Sequence, residues 1–275
     1  MRKIFLLAFL LITAVSKVQD LNFQRDTTGM GEGYTYGKRI ILVPFKPYDY
    51  KSDADADIAK QNELEPSYVK LVFRSSFDQV LSNALRNRFE MIRLNLDSPA
   101  EYKEDLQAFY NSTGTAYERP ILVRPAQTDI EKAKKTKSQL FIDEMAKLAN
   151  IDRTPKTYRG VDGGEFKAPN ELTRYYKTTI SNPNIIPYMQ EKYQNDYFLF
   201  INMMEVTTRY DQCIDLENKN YNREFSLHYT LYDKQGKQVV GNVITLLFPS
   251  NTNKINDIIA KNFGVIAKEI NKSLP

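Results

Sequence analysis

The chain has 275 residues, with 38 Lys and Arg against 34 Asp and Glu, one His, one Cys and no Trp. Hydrophobic residues make up 42% and charged residues 26%, a globular balance that excludes a disordered chain, a collagen, a membrane bundle and a disulfide-dense miniprotein. A single His and a single Cys exclude most zinc, haem and Cys–His chemistry, and a net charge of +4 is too small for a dedicated nucleic-acid binder, which needs a basic face.

The amino terminus reads as an export signal. Arg2 and Lys3 precede an apolar run from Ile4 to Val15, shorter than the roughly 20 residues that a membrane span requires. Ala14-Val15-Ser16 then offers the small residues that a signal peptidase cleaves after. Residues 1–16 are therefore expected to be a signal peptide, and the protein to be periplasmic or secreted. No Cys follows the run, so a lipoprotein anchor is not expected, and the lone Cys213 is expected to be a buried thiol.

Residues 17–38 form a polar lead-in with Gly29, Gly31, Gly33 and Gly37. These glycines precede a strand instead of following one, so they do not make a phosphate-binding loop. Residues 39–275 are expected to be a single domain. Its opening, RIILVPF from Arg39 to Phe45, is a short apolar run closed by Pro44, suited to a strand buried on both faces. A polar loop with Asp53, Asp55 and Asp57 follows; it resembles half of a calcium loop, but Ile58 and Leu64 stand where Gly and Glu are needed.

Val69, Val72, Phe73, Phe77, Val80, Leu81, Leu85 and Phe89 recur at spacings of three and four, which predicts an amphipathic helix over 67–89. Glu90 to Leu96 predicts a second strand. An insertion is expected at about 98–184. It opens on a capping pattern, Ser98-Pro99-Ala100-Glu101, ahead of a helix with Tyr102, Leu106 and Phe109 on one face. A second amphipathic stretch follows Asp129, with Lys132, Lys134, Lys135 and Lys137 on its polar face, and 154–188 is rich in Pro and Gly and reads as loop.

Tyr197 to Val206 is nearly all apolar and predicts a central strand. Glu224 to Tyr232 alternates, with Phe225, Leu227, Tyr229 and Leu231 on one face and Ser226, His228 and Thr230 on the other, which predicts a half-buried strand. Asp233 to Gly236 is a hairpin turn, Lys237 to Phe248 the return strand, and Ile255 to Leu274 a closing helix. The order predicts an α+β fold: a mixed sheet with helices packed mainly on one face, plus the helical and loop-rich insertion.

Candidate chemistry is sparse. His228 falls on the polar face of its strand, where a base is conceivable, but no nucleophile signature accompanies it. Glu205, Asp211 and Asp215 offer carboxylates of the kind a glycosidase pairs, with the two aspartates expected in a loop after the strand. In the insertion, Tyr158, Arg159, Arg174, Tyr175 and Tyr176 combine the residue types that anchor interfaces, and are candidate partner contacts.

Val43-Pro44-Phe45, Leu81-Leu85-Phe89, Asp196 ahead of its strand, and Asp233-Gly236-Val239 occur in the order seen in a periplasmic α/β family. Over about 39–96 and 185–274 the chain resembles the TolB amino-terminal, LpoB and CsgG-like domains. That resemblance implies an exported, non-catalytic binding or assembly module of the bacterial cell envelope, acting on an envelope protein partner without a cofactor, and leaves self-association open. The alternative is a secreted carboxylate hydrolase acting on glycans or peptides.

Overall fold

The computed structural model describes residues 37–95, 99–119, 157–160, 164–168 and 173–275. The expected signal peptide, most of the lead-in, Ser98, the stretch after Asp129 with its lysines, and the side chain of Tyr158 lie outside the described residues.

Strand β1 (Lys38–Val43) buries Ile40, Ile41, Leu42 and Val43 almost completely, as its unbroken apolar run requires. It lies between β3 (Phe89–Arg93) and β8 (Tyr197–Asp215), parallel to both. The chain passes from β1 to β3 through β2 (Tyr50–Ser52), α1 (Asp55–Gln61) and α2 (Pro66–Leu85). Beyond β8, β9 (Asn220–Asp233) and β10 (Gln238–Pro249) continue the sheet antiparallel. β6 (Glu165–Lys167) and β5 (Thr157–Arg159) complete the order β3-β1-β8-β9-β10-β6-β5, with β2 also paired to β8. A separate antiparallel ribbon joins β4 (Thr113–Glu118) to β7 (Tyr175–Ile180). Asp233 makes the β9–β10 turn by accepting the backbone N–H groups of Gln235 and Lys237, and Gly236 takes the positive φ of 77° that the turn demands.

Helices cover mainly one face, as expected. There α1, α2 and the carboxy-terminal helix bury Ile58, Val69, Phe73, Phe77, Leu81 and Ile266 against Ile40, Leu42 and the inward residues of β8 to β10. The carboxy-terminal helix has three parts: α5 (Ile255–Ile258), a π-helical turn (Ile259–Phe263) and α6 (Gly264–Ser273). The other face carries a smaller layer, α3 (Ala100–Ser112) and α4 (Ile185–Tyr193), packed on Ile41, Val43, Phe198 and Phe200. Among the described residues no helix is long and apolar enough to cross a membrane.

Four expectations are corrected. The helix expected over 67–89, α2, ends at Leu85, and Phe89 opens β3 instead of closing the helix. The Pro- and Gly-rich stretch 154–188 contains β5, β6, β7 and the start of α4. β9 is not half-buried, because β7 lies over its second face: the backbone N–H of Tyr176 meets His228, and Tyr232 donates its hydroxyl to the Thr178 carbonyl. Finally, β8 runs on to Asp215, so Asp211 and Asp215 lie on a strand, and the extension carries Cys213 into an exposed position.

Candidate functional site

The described residues do not fully cover the second face of the sheet. Beside the α3–α4 layer and the β4–β7 ribbon it carries a polar cleft of about 320 Å³. Strand pairing builds its floor. Glu205 on β8 stands opposite Ser226 on β9, Ser226 opposite Thr245 on β10, and Thr245 opposite Lys167 on β6. Glu224 and His228 flank Ser226 at a spacing of two on β9 and so share its face. Thr173 and Arg174, in the segment leading into β7, form the wall.

The charged groups on the floor are engaged with one another. Glu224 accepts from Lys167 Nζ at 2.9 Å and from Arg209 Nη1 at 2.7 Å, and Arg209 also clamps Asp211. The hydroxyls of Ser226 and Thr245 are 3.0 Å apart. His228 is only 4% exposed. Its Nδ1 accepts the backbone N–H of Tyr176 at 2.9 Å, so in the neutral ring the proton sits on Nε2. That Nε2 is 3.5 Å from Glu205 Oε2, a charge contact but too long for a hydrogen bond, and it has no hydrogen-bond partner among the described residues.

Burial pushes the His228 imidazole below its ordinary pKa, with Glu205 opposing the shift. In turn the nearby His228 N–H, aided by Lys51, holds the Glu205 carboxyl below the usual carboxylate range against the effect of burial. The pair is therefore a neutral imidazole facing a carboxylate. Because His228 is the only histidine, its ring signals identify themselves in a nuclear magnetic resonance spectrum. They are expected to show the Nε2–H tautomer at pH 7 and a titration midpoint below 6.5. A midpoint at or above 6.5 would contradict the buried placement.

The contact candidates fall in different places. Arg174 is exposed at the cleft wall, and Arg159 is exposed on β5. Tyr176 is half-buried: its hydroxyl accepts from Thr115 Oγ1 at 2.6 Å and its ring lies 4.9 Å from that of Tyr117. Tyr175, expected at a contact surface, is instead fully buried. Its ring fills the space over Gly241, where a Cβ would come within 2.6 Å of it, and its hydroxyl accepts from Gln238.

The aspartates expected in a polar loop after β1 are likewise committed to the protein, and two of them, Asp55 and Asp57, lie on α1 and not in a loop. Asp53 accepts the N–H and hydroxyl of Thr208, Asp55 the hydroxyl of Tyr50, and Asp57 an N–H of the buried Arg223 at 3.0 Å. They fasten β2 and α1 to β8 and β9. Among the described residues no group of three or more His, Cys, Asp or Glu is placed to hold a metal. A second cavity, of about 370 Å³, lies along α2 beside Arg74, Asp78 and Asn95, and there Arg74 is occupied by the Tyr110 hydroxyl.

Past the last β9–β10 pair, Asn222 with Pro249, strands β8 and β9 continue as a two-stranded ribbon with register shifts on either side of Cys213. Tyr210, Ile214 and Leu216 are 69%, 50% and 81% exposed on it, and Tyr210 leans on Tyr221 with ring centroids 5.3 Å apart. Lys167, Arg209, Glu224 and Thr245 went unnoticed in the sequence. The spacing of Glu224, Ser226 and His228 could have flagged Glu224, but the other three depend on strand register. Neither family models nor curated proteins give a match to this chain.

Proposed function

We propose that this protein is an exported, non-catalytic binding or assembly module of the bacterial cell envelope that works through protein contacts, with the β8–β9 ribbon as its contact element. The exposure of Tyr210, Ile214 and Leu216 together on that ribbon carries the reading. Apolar side chains clustered on a projecting element mark interaction surfaces, and tyrosine is a favoured anchor. Export rests on the pattern from Arg2 to Ser16, and the envelope role on the resemblance of the strand and helix motifs.

The cleft chemistry supports binding over hydrolysis. A glycosidase-type acid needs a carboxyl whose pKa is raised so that it carries a proton. Glu205 is shifted the opposite way, and Glu224 is held by two cations.

Cys213 is the only cysteine and is exposed on the ribbon, so a photo-crosslinker attached there samples this surface alone. In intact cells the labelled protein is expected to give one discrete adduct, with either an envelope protein or a second copy. The double variant Tyr210→Ser, Leu216→Ser should reduce the yield roughly tenfold, the loss expected for hot-spot truncation. No adduct, or adducts indifferent to the two substitutions, would remove the ribbon from any contact role.

A further inference from the structure

The cleft over Ser226 does not belong to the ribbon surface, and its chemistry points to a ligand of its own. We propose that it binds a neutral polyhydroxylated ligand, a single saccharide unit, through Glu205, His228, Ser226, Thr245 and Lys167.

Three observations carry this. The first is the buried donor. His228 lines the cleft, and its Nε2–H is buried with no hydrogen-bond partner among the described residues. Burying such a donor unsatisfied costs about 1–3 kcal/mol, so the site favours a group that accepts from it. The acceptor Glu205 Oε2 is 3.5 Å away. A hydroxyl that enters between the two accepts from Nε2–H and donates to the carboxylate, which neither an ammonium nor a carboxylate can do.

The second is charge. Lys167 and Arg174 oppose Glu205 and Glu224 within one lining, so it is formally neutral. An anion would meet two carboxylates and a cation two basic groups, each at a desolvation cost. A neutral ligand meets neither penalty.

The third is the alternation and size of the floor. The row Glu205, Ser226, Thr245, Lys167 sets an acceptor, two hydroxyls that both donate and accept, and a donor side by side on adjacent strands. Vicinal hydroxyls of a sugar ring present the same mixed pattern along one edge. A volume of about 320 Å³ is at the small end of ligand pockets and suits one ring, leaving the exposed Arg174 at the wall.

The test uses the single histidine as reporter. The full chain is titrated with glucose, galactose, mannose and N-acetylglucosamine while the His228 ring signals are followed by nuclear magnetic resonance. Glycine and inorganic phosphate serve as the zwitterionic and anionic comparisons. At least one saccharide is expected to shift the Nε2 signal saturably, with glycine and phosphate leaving it in place. Glu205→Gln and Thr245→Val are each expected to weaken that binding at least tenfold. Thr245→Val removes one hydroxyl at nearly constant volume, so it decides the matter if Glu205→Gln does not fold. The proposal is overturned if no saccharide gives a saturable shift, if phosphate or glycine alone does, or if the folded variants bind like the parent. Ribbon crosslinking through Cys213 is read separately, so either result can fail without the other.

Discussion

Replacing Phe263 by alanine is expected to lower stability by about 3–5 kcal/mol, the range for truncating a fully buried phenylalanine. The ring is fully buried where α2 meets the sheet. Its centroid lies 5.5 Å from Phe73, 5.5 Å from Phe77 and 5.3 Å from Phe225, each approached edge-on. Such pairs add about 0.5–1.5 kcal/mol beyond the area they bury. Phe263 thus joins α2, the carboxy-terminal helix and the central meander in one cluster. The backbone is shaped to place it there: the π-helical turn Ile259–Phe263 inserts one extra residue, so that Ile258 and Phe263 both reach the core although they are five apart. Denaturant unfolding of the parent and of Phe263→Ala and Phe263→Leu measures the effect. Phe263→Leu keeps most of the volume and is expected to lose less than half as much. A loss below about 1.5 kcal/mol for the alanine variant would mean that the cluster relaxes around the gap and that the core is centred elsewhere.

Elements with strong local signals were legible in the sequence. The unbroken run Ile40–Val43, the α2 stripe from Val69 to Leu85 and the Asp233–Gly236 turn each depend on residues close in the chain, and each is present. What escaped depends on partners distant in sequence. β5 and β6 are three-residue strands whose ladder partners among the described residues are each other and β10. The glycines beside them, which read as loop, provide close approach: a Cβ on Gly160 would stand 2.3 Å from the Phe166 ring, and one on Gly164 would stand 2.6 Å from Val265. The far half of β8 was hidden because its register shifts around Cys213 break the alternation that marks a strand. The cleft was half visible. The period of two put Ser226 and His228 on one face, but the cover from Tyr176, the row to Lys167 and the 3.5 Å approach of Glu205 follow from sheet order and register. Period alone made that face look solvated; the β4–β7 ribbon buries His228 and Thr230 and leaves Glu224 and Ser226 partly exposed in the cleft.

The second large effect concerns pH. Asp78 sits on α2 with 2% exposure, and its Oδ1 has no partner among the described residues. Burial pushes its carboxyl up to about 7, with Arg74 and Arg93 only partly opposing. In the unfolded chain the group ionises near its ordinary value of 3.8. Between these two values the folded state holds a proton that the unfolded state has released, so the folded state binds more protons and stability falls as pH rises. The contribution is fully present below about pH 4, declines to about pH 7 and is level above it. A separation of this size corresponds to a loss on the order of 4 kcal/mol. Asp78→Asn is neutral at every pH and keeps the shape, so it is expected to match the parent near pH 4 and to exceed it by roughly that amount at pH 8. His228 contributes in the opposite sense. Its folded pKa is lowered by burial, so its share of stability is lost as pH falls below 6.5, in parent and variant alike. The difference between the two stability curves therefore isolates Asp78. If the curves ran parallel from pH 4 to 8, the carboxyl would have to be ionised in the folded protein, with Arg74 and Arg93 compensating it fully.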